Sequence, residues 1–423
     1  MKKLFFMFVI LFSAVLSPFG SASAEENSGK SWVSKADLPE VRSAAATAVV
    51  DGKIYVIGGF GSENIATNTT YVYDPKTNEW TQKTDMPTKR AGAAVAVVDH
   101  KIYVIGGNTY NTSNYANTEK VEIYNYKTDT WESGVDAPVK SYLSTAAVID
   151  NTIHLFTQQE PSMPTHFAYN TATKKWETKY PQPRNNSGAA AATVNGKIYY
   201  IGGGTHNSGG SLISGFIYEY DPKTDNWVKK SNLKSLATYV SAAVVGNKIY
   251  IAGGAIGKNS VTSKVQVYDP KSDTVEEIQN LQYKRAGAAT VAVGKDLYAI
   301  GGSESVNLNS LHSSKFRSVE MLSLEDSKNP NDDNQGKTDD TDQSEEGDAL
   351  LVITMLNGLQ KEYQLSMKEV NAFLSWYKKR DAGEGPGFYE IDEHDNNKGP
   401  FESKKDYVVF KNILVFEVNK YKE

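Results

Sequence analysis

The heptapeptide KIYVIGG, Lys53 to Gly59, returns along the chain as KIYVIGG at Lys101, KIYYIGG at Lys197, KIYIAGG at Lys248 and DLYAIGG at Asp296. A degenerate copy, TIHLFTQ, begins at Thr152. The glycine pairs start at 58, 106, 202, 253 and 301, a period of about 49 residues, and the degenerate copy fills the one gap. The chain therefore contains six units. Self-similarity at this period restricts it to repeat architectures, because one unit alone cannot bury its apolar face.

Each unit reads in the same order: a small-residue strand such as AGAAVAVV, a two-residue turn, the KIYVIGG strand, a variable stretch, a strand ending in YDP and a strand opening with Trp. The turns are Asp51-Gly52, Asp99-His100, Asp150-Asn151, Asn195-Gly196, Gly246-Asn247 and Gly294-Lys295, mostly the residue types that accept the positive φ of tight hairpins. The pattern predicts a four-stranded antiparallel meander per unit. The first strand of every unit is rich in alanine, a poor strand former, so something must crowd it. Six sheets set radially supply that crowding, since their inner strands converge on a narrow axial channel. The sixth unit ends at its third strand, Val319 to Ser323, whereas the chain opens with a Trp strand at Trp32. The N-terminal strand is expected to complete the last blade, leaving no open edge.

IYVIGG followed by YDPKTNEW and DMPTKRAG resembles the kelch repeat, over roughly Lys30 to Leu324. The resemblance implies an all-β six-bladed kelch β-propeller closed by the N-terminal strand, here residues 25–325. Unit three departs from the pattern with Thr157 and Gln158 in place of the glycines, and unit five has Val275 where Trp is expected. Local irregularity is expected in those two blades.

The glycine pairs read as structural joints, since a glycine inside a strand costs about 0.5–1 kcal/mol relative to alanine and is kept only for a backbone need. A phosphate cradle would require a following helix, and each copy leads into polar loop and another strand. Trp32, Trp80, Trp131, Trp176 and Trp227, with Tyr55, Tyr103, Tyr199, Tyr250 and Tyr298, read as packing between blades. His100, His154, His206 and His312 have no metal-ligand spacing, so neither a metal nor a cofactor is expected.

Lys2 and Lys3, the apolar run Leu4 to Leu16 and the ending Ala22-Ser23-Ala24 have the parts of a secretory signal peptide, residues 1–24, with cleavage expected after Ala24. No later stretch is apolar enough to span a membrane, which leads us to expect a secreted or extracellular chain. The absence of cysteine excludes disulfides, thiolate metal sites and a cysteine nucleophile. Net charge is −5, and Asp326 to Asp348 alone contributes −7; without that segment and the two leader lysines the balance is zero. Such a chain lacks the basic footprint of a nucleic-acid binder.

In a meander the first-to-second and third-to-fourth connections share one face. The opposite face carries FGSENIATNTT, NTYNTSNYANTEK, QQEPSMPTH, GTHNSGGSLISG, AIGKNSVTSK and SESVNLNSLHSSKF, whose length and variety mark it as the binding face. Their Asn, Ser, Thr, Gly and Tyr content suits an extracellular glycan, peptide or protein. Arg42, Arg90 and Arg285 lie in the connections between blades, with Arg184 less well aligned, and the first three are contiguous once the ring closes. They are expected to form a cationic arc at the channel mouth that receives an anion. In kelch proteins an arginine at this position often faces the binding pocket, which the resemblance extends to these residues. The resemblance also implies two enzymatic alternatives. A galactose-oxidase type needs a cysteine-crosslinked tyrosine that this chain cannot build, and a sialic-acid mutarotase type, an epimerase-like enzyme, would have to use Glu304 and Arg317 of unit six.

Residues 326–348 have no aliphatic or aromatic side chain and read as a disordered acidic spacer. Residues 349–423 read as a small α+β module. Two strands flank Asn357-Gly358, and Ser366 with Glu369 caps a helix burying Val370, Phe373, Leu374 and Tyr377. MKEVNAFLSWY and HDNNKGPF resemble a short C-terminal domain appended to exported repeat proteins of spore-forming Gram-positive bacteria. The expectation for this module is docking to a cell-surface partner.

Overall fold

Each repeat forms a twisted four-stranded antiparallel sheet in chain order, and six such sheets make the blades of a propeller. This computed structural model describes residues 31–324 apart from 111–115, 160–162, 185–186, 208–209, 258 and 305–314; beyond them it describes 348–355, 360–381, 386–392, 405–410 and 413–420. The expected leader, and the acidic spacer except Asp348, lie outside the described residues. Contacts divide the chain into two units, Met1–Ser327 and Lys328–Glu423.

Blade one consists of Ala46–Val50, Lys53–Ile57, Thr70–Asp74 and Glu79–Lys83. Blade two repeats it from Ala94–Val98 to Thr130–Ser133 and blade three from Thr145–Ile149 to Lys175–Lys179. Blade four runs from Ala190–Val194 to Asn226–Asn232 and blade five from Ser241–Val245 to Thr274–Ile278. Blade six contains Ala289–Val293, Asp296–Ile300 and Val319–Ser323, and its outer strand is the N-terminal Val33–Lys35, with Val33 opposite Met321 and Lys35 opposite Val319. The closure expected from the sequence is present.

Burial follows radius. Inner strands alternate buried and half-buried residues, the KIYVI strands are buried on both faces, and outer strands such as EWTQK face solvent on one side. The alanines let neighbouring inner strands touch around the whole ring.

The recurrent aromatics tie each blade to the one before it. The Nε1 of Trp80 donates to Ala36 O, that of Trp131 to Thr84 O, that of Trp227 to Tyr180 O and that of Trp32 to Gln279 O, each on the preceding blade's outer strand or its exit. A turn residue completes the seam. Asp129 accepts from the Tyr124 hydroxyl of its own blade at 2.6 Å and from Thr84 N of the preceding one at 2.9 Å, and Asp225 and Asp273 repeat the arrangement. Val275, lacking an indole, keeps its place by burial alone.

The second unit holds a three-stranded sheet of Gln360–Ser366, Asp348–Met355 and Ile413–Lys420, the helix Met367–Asp381, and a two-stranded ribbon of Phe388–Asp392 and Lys405–Val409. Ser366 and Glu369 form the expected reciprocal cap: Ser366 N donates to Glu369 Oε2 at 2.9 Å and Glu369 N to Ser366 Oγ at 3.4 Å. Val370 and Phe373 are fully buried, joined by Trp376, which the helical spacing had not singled out.

Candidate functional site

The glycine pair and the inter-blade arginine are two halves of one joint. Gly58 has φ +60°, and a Cβ there would stand 2.5 Å from the Arg90 carbonyl oxygen; Gly59 N donates to that same oxygen at 2.9 Å. Gly254 N grips Arg285 O and Gly302 N grips Arg42 O in the same way. The glycines of one blade thus hold the backbone of the connection that leads to the next.

From that clasp the arginine side chain extends forward into the following blade. Arg90 Nη1 donates to Gly106 O at 3.0 Å and Lys120 O at 2.7 Å, while Nη2 pairs with Glu122 at 2.6 Å, all in blade two. Arg285 repeats this in blade six with Gly301 O, Ser318 and Glu320. At the closing junction Arg42 reaches Thr69 of blade one at 2.5 Å and Glu40 at 2.5 Å, and stands 5.8 Å from the Tyr71 ring.

This arrangement corrects the expected cationic arc. Arg42, Arg90 and Arg285 are all at or below 2% exposure, so they brace three consecutive seams and do not line an open anion site. Spacing places their backbones near the channel mouth, but two next-blade carbonyls and a carboxylate draw the Arg90 and Arg285 guanidinium groups into the seam. Burial pushes Arg90 and Arg285 down from the usual arginine range, with Glu122 and Glu320 opposing it. Arg184 is exposed and does not join them; it lies 4.8 Å over the Phe216 ring, which Lys229 also approaches at 4.8 Å.

Around the axis, backbone hydrogen bonds link the six blades into a ring. Ala44 N donates to Gly287 O, Gly92 N to Ala44 O, Leu143 N to Gly92 O, Gly188 N to Leu143 O, Val240 N to Gly188 O and Gly287 N to Tyr239 O, at 2.8 to 3.2 Å. Inside lies a cavity of 290 Å³ lined by alanine, glycine, serine, threonine and valine with Leu143 and Tyr239. Among the described residues, no carboxylate, imidazole or ammonium lines it. Glu304 is exposed, and Arg317 donates from Nε to Leu38 O at 2.7 Å, fastening the N-terminal connection; neither belongs to the cavity lining.

Among the described residues the long-loop face is asymmetric. Blades six, one and two carry the arginine braces; blades three, four and five raise β-hairpins. In blade three the middle strands lengthen to Thr152–Gln159 and Met163–Asn170. Blade four adds Gly204–Asn207 with Gly210–Ile213, and blade five adds Ala255–Gly257 with Ser260–Val261. These segments read as loops because polar residues hide their short alternation. Their described parts present Met163, Leu212 and Ile256 at 63%, 73% and 47% exposure. Each of these three successive hairpins thus exposes one large apolar side chain, and together they are the crest of this face.

Blade three contains a feature that sequence reasoning missed. His154 stands where other blades have Tyr55 or Tyr199, and it meets His166 on the neighbouring strand, Nδ1 to Nε2 at 2.9 Å. His166 Nδ1 lies 3.1 Å from Tyr180 O, which can only accept, so Nδ1 carries the proton and Nε2 accepts from His154 Nδ1–H. Both rings are buried against Tyr220 of blade four, and His166 also packs on Phe156 and on Trp227 of blade four. Burial holds His154 down at about 4 and His166 at about 3. With Thr157 and Gln158 replacing the glycine clasp, Gln182 Nε2 binds Thr157 O at 2.6 Å instead. The paired histidines sit twelve residues apart on antiparallel strands, a spacing that only the strand register could have turned into contact.

Two family models match the propeller: the FKB95, Kelch-repeats domain over residues 17–187 and the KLHDC2/KLHL20/DRC7 Kelch-repeats domain over 145–332. Kelch-like protein 25 of Xenopus tropicalis is 28% identical over 242 residues, covering 55% of this chain and 40% of that protein. Kelch-like protein terF of Aspergillus terreus is 30% identical over 239 residues, 53% of this chain and 52% of its own length. The chain thus spans about two fifths to one half of these relatives. An uncharacterized protein of Clostridium acetobutylicum shares 45% identity over 73 residues, 17% of this chain and 18% of that one. Among solved structures, that of YjhT superposes with a TM-score of 0.57 at 17% identity, covering 69% of this chain and 97% of YjhT.

Proposed function

This chain belongs to the kelch-repeat family, and we propose that it acts outside the cytoplasm as a binding module that takes a protein or peptide on the long-loop face, across the hairpins of blades three to five. The crest carries the reading. Met163, Leu212 and Ile256 are aliphatic, and exposed aliphatics gain by burial against an apolar protein surface, whereas glycans are gripped mainly by flat aromatic rings. An isomerase reading would need acid–base groups around the channel, and the cavity lining offers hydroxyls and methyls. The leader-like N-terminus supports action after export, and the C-terminal unit is assigned to docking at a cell surface.

The test is a combined peptide and glycan array with the full chain and with the triple variant Met163→Ser, Leu212→Ser, Ile256→Ser. Peptide signals that fall at least about tenfold in the variant are expected. Signals confined to glycans, or unchanged by the substitutions, would refute the assignment. Deleting residues from Gly347 onward is expected to lower cell association without altering array binding.

A further inference from the structure

We propose that the seam between blades one and two, on the short-turn face, is a binding site for a small neutral polyhydroxylated ligand of monosaccharide size. A cavity of 330 Å³ lies there, bounded by Asp51, Lys53, Tyr55, Thr81 and Lys83 of blade one and Tyr126 of blade two. Its volume is at the lower end of the ~300–1,000 Å³ range of small-molecule sites. The site is on the face opposite the hairpin crest and does not depend on the reading given for that crest.

The cavity occurs where these two blades leave the repeat pattern. Three units place proline after the Tyr-Asp pair, at Pro75, Pro222 and Pro270; blade two has Tyr126 there. Its hydroxyl donates to Asp51 Oδ2, and its ring stands edge-on to Tyr55 with centroids 6.3 Å apart and planes at 64°. His100, in the blade-two turn at φ +60°, brings Nδ1 to 3.4 Å from the other oxygen of Asp51. The Asp51 carboxylate is therefore held from both sides at the cavity rim.

The outer wall is also altered. Opposite Val72 blade one has Thr81, where the next two blades place Glu132 and Glu177 at the matching register. The shorter side chain leaves space. Tyr55 is 4% exposed and faces Val72 across the strands, so its hydroxyl has no hydrogen-bond partner among the described residues; in blade four the equivalent Tyr199 bonds Glu219 at 3.0 Å. Burial, then Asp51 and Asp129, push the Tyr55 phenol up, which keeps it a proton donor.

Charge selects the ligand class. Lys53 Nζ lies 2.9 Å from Asp74 and already serves a carboxylate, while Lys83 adds a second ammonium group to the lining. An anion would meet the Asp51 carboxylate, and a cation would meet the Lys53 and Lys83 ammonium groups, so a net charge of either sign finds a like charge in the lining. An apolar ligand would strip water from Asp51, Thr81 and the Tyr55 hydroxyl without replacing its hydrogen bonds. Neutral hydroxyls satisfy all three, while the half-exposed Tyr126 ring takes the C–H face of a sugar.

Glucose and N-acetylglucosamine, titrated separately against the full chain by ligand-observed NMR, provide the test, with phosphate and glycine betaine as charged probes. Binding of at least one sugar in the ~mM range is expected. It should weaken about tenfold in Tyr126→Pro, which restores the repeat's own residue, and in Asp51→Asn, which keeps the fold if the proline does not. The Met163→Ser, Leu212→Ser, Ile256→Ser variant should bind the sugar unchanged. Failure of both sugars to bind, equal binding by Asp51→Asn, or a preference for phosphate or betaine would overturn the assignment.

Discussion

Lowering the pH from 7.5 to 4.5 perturbs blade three through His154 and His166, which are neutral in the folded chain and hydrogen-bonded in one direction, His154 to His166 to Tyr180 O. Their folded values are about 4 and about 3, below the ~6.5 of an unfolded histidine. The unfolded chain therefore takes up protons first as pH falls. The stability held by the neutral pair is complete above about pH 6.5 and is lost progressively as the pH drops toward the folded values. At pH 4.5 each ring accounts for about 3 kcal/mol, from two pH units at ~1.4 kcal/mol each, and the two together for about 5 kcal/mol. A second proton on the pair would add repulsion between rings whose facing nitrogens are 2.9 Å apart. The charged groups around them do not rescue the charged form: Asp225 favours it, but Lys179 opposes it and burial dominates.

The control is His154→Tyr with His166→Thr, the residues blade one carries at Tyr55 and Thr70 in the same register. Thermal melts of both proteins should be collected at intervals across this range. Other acid-sensitive groups lower both curves, so the difference in slope is the readout. The double variant removes both rings, so a differential loss of about 5 kcal/mol, roughly 10–20 °C, is expected, with the wild-type midpoint falling by that much more than the variant's, mainly below pH 6. Parallel curves would show that the pair titrates near the ordinary histidine value, and the argument from burial would fail.

Removing one member of the buried Arg285–Glu320 pair, by Arg285→Met or Glu320→Leu alone, should cost about 3–5 kcal/mol in chemical denaturation, and combining both should recover most of it. Gly58→Ala should destabilise by more than about 2 kcal/mol because φ is +60° and the Arg90 carbonyl blocks the Cβ, whereas Gly52→Ala, also at positive φ but facing open space, should cost about 1 kcal/mol. Ser366→Ala should remove about 1 kcal/mol from the C-terminal unit, read as a lower midpoint in a melt of residues 348–423 within the full chain.

Blade count, strand order and the closing strand were legible because glycine pairs, turn pairs and tryptophans recur in phase, and a missing Trp strand at one end matches an extra one at the other. Side-chain direction was not legible. Arg90 could be placed at a blade connection, but only the location of Gly106 O, Lys120 O and Glu122 shows that it turns inward. His166 carried no signal by itself; its meaning depends on the register that brings it to His154. The hairpins of blades four and five were hidden in stretches rich in Ser, Asn and Gly, where alternation is too short to separate strand from loop. The seam cavity needed Tyr126 and Asp51 to meet across blades, which no linear spacing announces.

The seal between Val33–Lys35 and the third strand of blade six has a consequence in time. Its hydrogen bond from Arg317 to Leu38 joins residues 279 apart, so at ~5–20 residues per second of synthesis the first strand exists for roughly 15–60 s before its partner is made. During that interval blade six of a completed neighbour whose own strand has detached presents the same pairing edge. An exchanged dimer and a correctly closed monomer would share every contact at this seam, and concentration during folding would decide between them.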